Sequence, residues 1–188
     1  MNGRFEVFET PIAGLKVLQR KPIGDSRGYL ERMFCANELD WLCPRSKKIV
    51  QINHTLTPKQ GTIRGLHFQY PPHSEGKFVS CLRGEVFDVA VDLRRGSPTF
   101  LRWHAEVLSA ANHKSLFIPE GFAHGFQTLT GDCGMLYFHT AFHEPDAEGA
   151  LNAQDPALNI RWPLAVTERS ARDAAHPLIA ADFGGIAV

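Results

Sequence analysis

No stretch of this 188-residue chain stays apolar long enough to span a bilayer as a helix. It also lacks net charge, since 20 Lys and Arg balance 20 Asp and Glu. That argues against a broad nucleic-acid or membrane-binding surface, but leaves room for a local basic pocket around one small anion. The opening segment, Met1 to Thr10, carries acidic residues and no apolar centre, so it is not expected to act as a secretory signal. Paired cysteine motifs are missing too: Cys35, Cys43, Cys81 and Cys133 are scattered, with no CxxC. They read as reduced thiols, mostly core filler, in a cytoplasmic protein. Low-complexity segments, internal repeats and linkers are absent, and a single domain over residues 1–188 is expected.

Turn punctuation is plentiful, with 16 Gly and 12 Pro. Between the turns lie short runs rich in Val, Phe, Leu and Thr, a pattern that predicts an all-β sandwich or barrel. In Glu85 to Leu93, Val89, Val91 and Leu93 share one parity and Asp88, Ala90 and Asp92 the other, so a strand sends the two sets to opposite faces. Phe100 to Leu108 alternates in the same way. Further strands are expected over Leu15 to Gln19, Tyr29 to Phe34, Lys48 to His54, Thr62 to Phe68, Lys77 to Leu82, Ser115 to Ile118, Phe126 to Leu129 and Met135 to Thr140. Helix is scarce. Ala36 to Cys43 could form about two turns, with Leu39 and Leu42 on one side. Ser170 is a suitable N-cap for a short helix over the residues that follow. The tail from about residue 145, broken by Pro145, Pro156 and Pro163, is expected to wrap the barrel as loops.

Nine histidines raise the question of a metal. Many metal-binding β-barrels take two ligands from one strand as His-x-His, but His67 is followed by Phe68 and Gln69, and His139 and His143 have a helical rather than a strand spacing. No metal site is expected. Arg64 and His67, three apart in GTIRGLHFQ (Gly61 to Gln69), would face opposite ways on a regular strand, although Gly65 permits local distortion. Taken alone, His67 reads as a structural or surface histidine. Asp88 and Asp92 read as solvated strand residues, and His124 in IPEGFAHGF (Ile118 to Phe126) as part of a barrel turn.

The order of these segments carries more than any one of them. DSRGYLERMF (Asp25 to Phe34), QINHTLTPKQGTIRGLHFQYPP (Gln51 to Pro72), EGKFV (Glu75 to Val79), GEVFDVAVDLRRGSPTF (Gly84 to Phe100), IPEGFAHGF, LYFHT (Leu136 to Thr140) and ARDAAHPL (Ala171 to Leu178) follow one another along nearly the whole chain. The series resembles the dTDP-4-dehydrorhamnose 3,5-epimerase family. The resemblance implies a cupin jelly-roll, an antiparallel β-barrel whose mouth takes a small-molecule nucleotide sugar. It implies a homodimer that exchanges an N-terminal strand near Tyr29 to Phe34, and no metal or organic cofactor.

By the same resemblance, His67 is the base that removes a proton beside a ketone, and Asp173 is the carboxylate paired with it. Tyr137 is the acid on the opposite face, and Lys77 stabilises the enolate oxygen. Arg27, Arg64 and Arg172 contact the phosphates, Gln51 and Asn53 the nucleotide, and His124 and Glu148 the substrate. The sequence departs from the family at Arg32, where a glutamate is common, and at Ala141-Phe142-His143, where a tyrosine often stacks on the thymine and His143 offers a smaller ring. Both departures bear on the nucleotide or the exact sugar, not on the ketone chemistry. Alternatives at this point are a C3-only epimerase or an epimerase of another nucleotide ketosugar, a non-catalytic sugar-nucleotide binder, and a metal-dependent cupin oxygenase.

Overall fold

In the computed structural model, which describes residues 3–44 and 46–188, the alternating runs pair into two antiparallel sheets that enclose one core. The strands are β1 (Phe5–Glu9), β2 (Lys16–Arg20), β3 (Ile23–Asp25), β4 (Gly28–Leu30), β5 (Gln51–Thr57), β6 (Ile63–Gln69), β7 (Lys77–Arg83), β8 (Glu85–Asp92), β9 (Trp103–Ser109), β10 (Lys114–Ile118), β11 (Phe122–Thr128), β12 (Cys133–His139) and β13 (Glu148–Ala150). One sheet has the order β1-β2-β10-β7-β12-β5 and the other β13-β6-β11-β8-β9, while β3 and β4 form a separate hairpin. Non-consecutive neighbours of this kind make a cupin-like jelly roll.

Between the sheets, Val17, Val79, Leu116 and Met135 meet Val86, Ala90, Leu108 and Phe126. β8 is buried on both faces. Val86 and Ala90 point into the barrel, and Val89 and Val91 pack outward beneath Leu151, Ala153, Leu158 and Ile186 of the C-terminal segment. Trp103 and Trp162 pin that segment by donating their indole N–H groups to the Leu158 and Ala153 carbonyls, at 2.8 and 2.7 Å. The opposite outer face, Leu18, Phe78, Phe117 and Phe138, is covered by Leu39 and Cys43.

Several expected boundaries move. Tyr29 to Phe34 is strand only as far as Leu30, because Glu31 leaves the hairpin to meet Arg20 Nε at 2.7 Å and His113 Nδ1 at 2.8 Å. Lys48 to His54 shifts to Gln51–Thr57, and Phe126 to Leu129 grows backward to Phe122. Phe100 to Leu108 starts at Trp103, since the chain turns at Leu101 (φ 59°). Ala36 to Cys43 is a run of turns instead of a helix. Cys43 N–H reaches the Leu39 carbonyl at 2.8 Å, but Pro44 follows at once, and so short a segment gains more from burying Leu39 and Cys43 than from helix propagation. The helix after Ser170 forms as expected, α1 (Ala171–Ala175). Strands β1, β3 and β13 were not expected from sequence.

Candidate active site

The strand ends at Gln51, Gln69, Lys77 and His139 gather at one end of the barrel, around a cavity of about 270 Å³. His67 comes from β6 of the five-stranded sheet; Lys77 and Tyr137 come from β7 and β12 of the six-stranded sheet opposite. Both Arg64 and His67 line the cavity despite their odd spacing. The reason is a one-residue irregularity in the β6–β11 register, where His124 pairs with His67 but Phe126 pairs with Arg64. Gly65 (φ +121°) sits at that bulge, back to back with Gly125. A Cβ on Gly65 would lie 2.5 Å from the Gly125 Cα.

His67 Nε2 lies 2.8 Å from Asp173 Oδ1, and Asp173 Oδ2 accepts the Gly65 N–H at 3.2 Å. Asp173 is held by α1, whose cap Ser170 accepts the Asp173 N–H at 3.0 Å. Burial alone would raise the Asp173 carboxyl. The hydrogen bonds from His67 and Gly65 outweigh it and bring the pKa to about 2. A carboxylate there keeps the proton of a neutral imidazole on Nε2 and leaves the Nδ1 lone pair free to accept one.

Tyr137 is buried, and its hydroxyl reaches Thr55 Oγ1 at 3.4 Å. Burial pushes the phenol above its ordinary range, so it holds its proton at neutral pH. Its ring stacks on His139 and meets His124 edge-on. His124 Nε2 in turn contacts both oxygens of Asp88, at 2.9 and 3.0 Å. Asp88 and Asp92 are not solvated strand residues: both are fully buried. Burial raises the Asp88 carboxyl against the pull of His124, whereas Asp92 is tied to Arg94, Ser97 and Thr99 in a turn.

Lys77 belongs to a buried charged cluster whose other members went unnoticed as site residues. Its Nζ is 2.7 Å from Glu75 Oε1, and Glu75 Oε2 is 2.6 Å from His139 Nδ1. Burial would raise Glu75, but hydrogen bonding to His139 and the Lys77 charge bring it down to about 2. Strand parity could have found His139, two residues from Tyr137 on β12, but Glu75 lies before β7 begins and carries no such signal.

Gln51, Asn53, His124, His143, Glu148 and Arg172 also line the cavity. Glu148 takes both Arg172 nitrogens, at 2.9 and 3.1 Å. Gln51 Oε1 accepts the His143 backbone N–H at 3.1 Å. Arg27 does not reach the cavity of its own chain. It is exposed on the β3–β4 hairpin and paired with Asp25. Arg32 is likewise outside, paired with Glu38.

A cupin-type barrel with a histidine–carboxylate pair on one wall and a protonated phenol on the other belongs to a class of enzyme that can take a proton from one face of a ligand and return one to the other. Residues 9–181 match the model of the dTDP-4-dehydrorhamnose 3,5-epimerase family. The chain belongs to this family. It is 44% identical over 174 residues to dTDP-4-dehydrorhamnose 3,5-epimerase of Salmonella typhimurium, covering 92% of this chain and 94% of that one. The dTDP-6-deoxy-D-glucose-3,5-epimerase of Legionella pneumophila, solved with dTDP-4-keto-L-rhamnose, superposes with a TM-score of 0.89. It is 39% identical, and the match covers 97% of this chain and 98% of that one. A 3'-monoepimerase of Streptomyces bikiniensis, solved with dTDP-quinovose, superposes at 0.82 with 29% identity, over 90% and 85% of the two chains.

Proposed function

We propose that this protein epimerises C3 and C5 of dTDP-4-dehydro-6-deoxy-D-glucose, giving dTDP-4-dehydro-L-rhamnose. The observation that carries the reading is the pairing of His67 with Asp173 on a cavity wall opposite Tyr137. Hydrogens beside the C4 ketone are acidic because the carbanion delocalises onto oxygen. His67 Nδ1 takes such a proton, and Asp173 stabilises the imidazolium that forms. Lys77 faces the enolate oxygen, where a fixed cation lowers the barrier. Tyr137, protonated at neutral pH, returns a proton to the other face of the ring.

Arg64 and Arg172 supply the positive charge for the diphosphate, which displaces Glu148 from Arg172. Gln51, Asn53 and His143 contact the nucleoside. His124 lies against the sugar, held by Asp88.

The enzyme works as a homodimer. Tyr29 and Leu30 on the β3–β4 hairpin are 65% and 64% exposed, too apolar for a hairpin left in water. Exchange of this hairpin would carry Arg27 to the partner's phosphate site. Four unpaired cysteines support a cytoplasmic location.

Proton NMR of the substrate in D₂O tests the reading. Deuterium at both C3 and C5 is expected, with no label after His67→Ala. In Tyr137→Phe, exchange is expected to outlast inversion. Label at C3 alone would favour single epimerisation, as in the Streptomyces bikiniensis relative, and no label in the unmodified protein would overturn the assignment.

A further inference from the structure

His176 is the C-cap residue of α1 and takes no part in the chemistry above. Its ring meets His67 edge-on, with centroids 6.3 Å apart and planes at 78°. Its Nε2 is buried and, among the described residues, has no hydrogen-bond partner. A buried imidazole nitrogen left unpaired costs on the order of 1–3 kcal/mol, so its persistence points to a group that fills the gap. The ligand-capable atoms of His67, Asp173 and His176 all lie within 4.8 Å of one another.

We propose that His67, Asp173 and His176 bind a divalent transition-metal ion of the zinc type, and that the bound ion switches the base off. Two imidazoles and one carboxylate are the donor set of zinc and its neighbours, whereas magnesium and calcium favour oxygen alone. Zinc holds nitrogen and oxygen ligands at about 2.0–2.2 Å, which sets tetrahedral ligands about 3.4 Å apart. His67 and Asp173, at 2.8 Å, must open by roughly 0.6 Å while His176 closes in by up to roughly 1.4 Å. His176 can supply that movement, since it lies beyond the last turn of α1 with an extended backbone. Its carbonyl is fixed by Asn152 Nδ2 at 3.1 Å, so the side chain moves and the chain does not.

The inhibition follows from proton balance. His67 Nε2 faces the Asp173 carboxylate at 2.8 Å, and a carboxylate only accepts, so in a neutral ring the proton belongs on Nε2 and the lone pair on Nδ1. A metal on Nε2 takes that position's lone pair, and the displaced proton moves to Nδ1. The ring stays neutral, no proton is lost to solvent, and the nitrogen facing the cavity can no longer accept one. This half of the inference rests on the proposed role of His67; the binding half does not.

Chelator-treated protein titrated with zinc, read by calorimetry and by the visible absorption of cobalt in its place, tests both halves. One zinc per chain is expected, with a tetrahedral cobalt spectrum. Outer-sphere partners alone change metal affinity by about 10–100-fold, so His176→Ala should weaken binding by at least about tenfold and lose the cobalt spectrum. Zinc should inhibit deuterium exchange in the unmodified protein, and at least about tenfold more should be needed in His176→Ala. Equal zinc affinity in the two proteins overturns the site. His176-dependent binding that leaves exchange untouched keeps the site and overturns the switch. Absence of exchange in metal-free protein refutes the epimerase reading while leaving the site standing.

Discussion

Replacing Glu75 by glutamine removes one negative charge from between Lys77 and His139 while keeping the size of the side chain. The Glu75 side chain is 10% exposed, so solvent screens the pair little. Its pKa is about 2 in the folded protein against an ordinary value of 4.5. A folded pKa below the unfolded one stabilises the fold above the unfolded value, and that stability drains away as pH falls toward the folded one. At pH 7 the ionised carboxylate therefore contributes roughly 3 kcal/mol. At pH 3, where an unfolded Glu75 is already protonated and the folded one still largely ionised, linkage leaves about half of that. Glu75→Gln should thus lower the stability by roughly 3 kcal/mol at pH 7, a fall in Tm of about 6–12 °C for a chain of this size. Urea unfolding followed by circular dichroism, on both proteins at matched concentration from pH 7 to pH 3, reads the difference directly. The gap should shrink by about half across that range. A gap that stays constant with pH would mean that Glu75 acts through packing or hydrogen bonding, and the charged-cluster argument would fail.

Gly65→Ala places a Cβ 2.5 Å from Gly125 Cα and 2.7 Å from the His124 carbonyl oxygen, at a φ of +121°. A loss of at least about 3 kcal/mol is expected, and an unchanged Tm would show that the bulge is not rigid. Ser170→Ala should cost about 1 kcal/mol as a lost cap and should slow exchange more than it weakens substrate binding, because Ser170 positions Asp173. A rise in KM with kcat unchanged would contradict that. Asp173→Asn can still accept the Gly65 N–H but cannot stabilise an imidazolium. Its deuterium-exchange rate should fall by at least about a hundredfold, and a near-normal rate would remove Asp173 from the mechanism.

Most of the barrel was legible because half-buried strands carry an alternating pattern, and Glu85 to Asp92 is the clearest case. The same strand shows the limit of the pattern. Asp88 and Asp92 look like its solvent face, yet both are buried, because one outer face is roofed by a C-terminal segment more than fifty residues further on and the other side is the barrel interior. Alternation tells two faces apart; it does not tell which is wet when a distant segment covers one of them.

The site divides along the same line. Parity is local, so Lys77, Tyr137 and His139 could be placed on one wall once their strands were known. The His67–Asp173 bond is not local: it spans a separation of 106 residues and depends on a serine cap at one end and a register slip at the other. Periodicity sees neither. On a regular strand, Arg64 and His67 would face apart, and only a backbone that closes on Gly65 and Gly125 turns both into one cavity. That is why family resemblance reached His67 and Asp173 where spacing could not. Arg27, assigned by the same resemblance, lies outside the cavity of its own chain, and no pattern within one sequence says whether a residue serves its own copy or, in the exchanged dimer proposed above, its partner's.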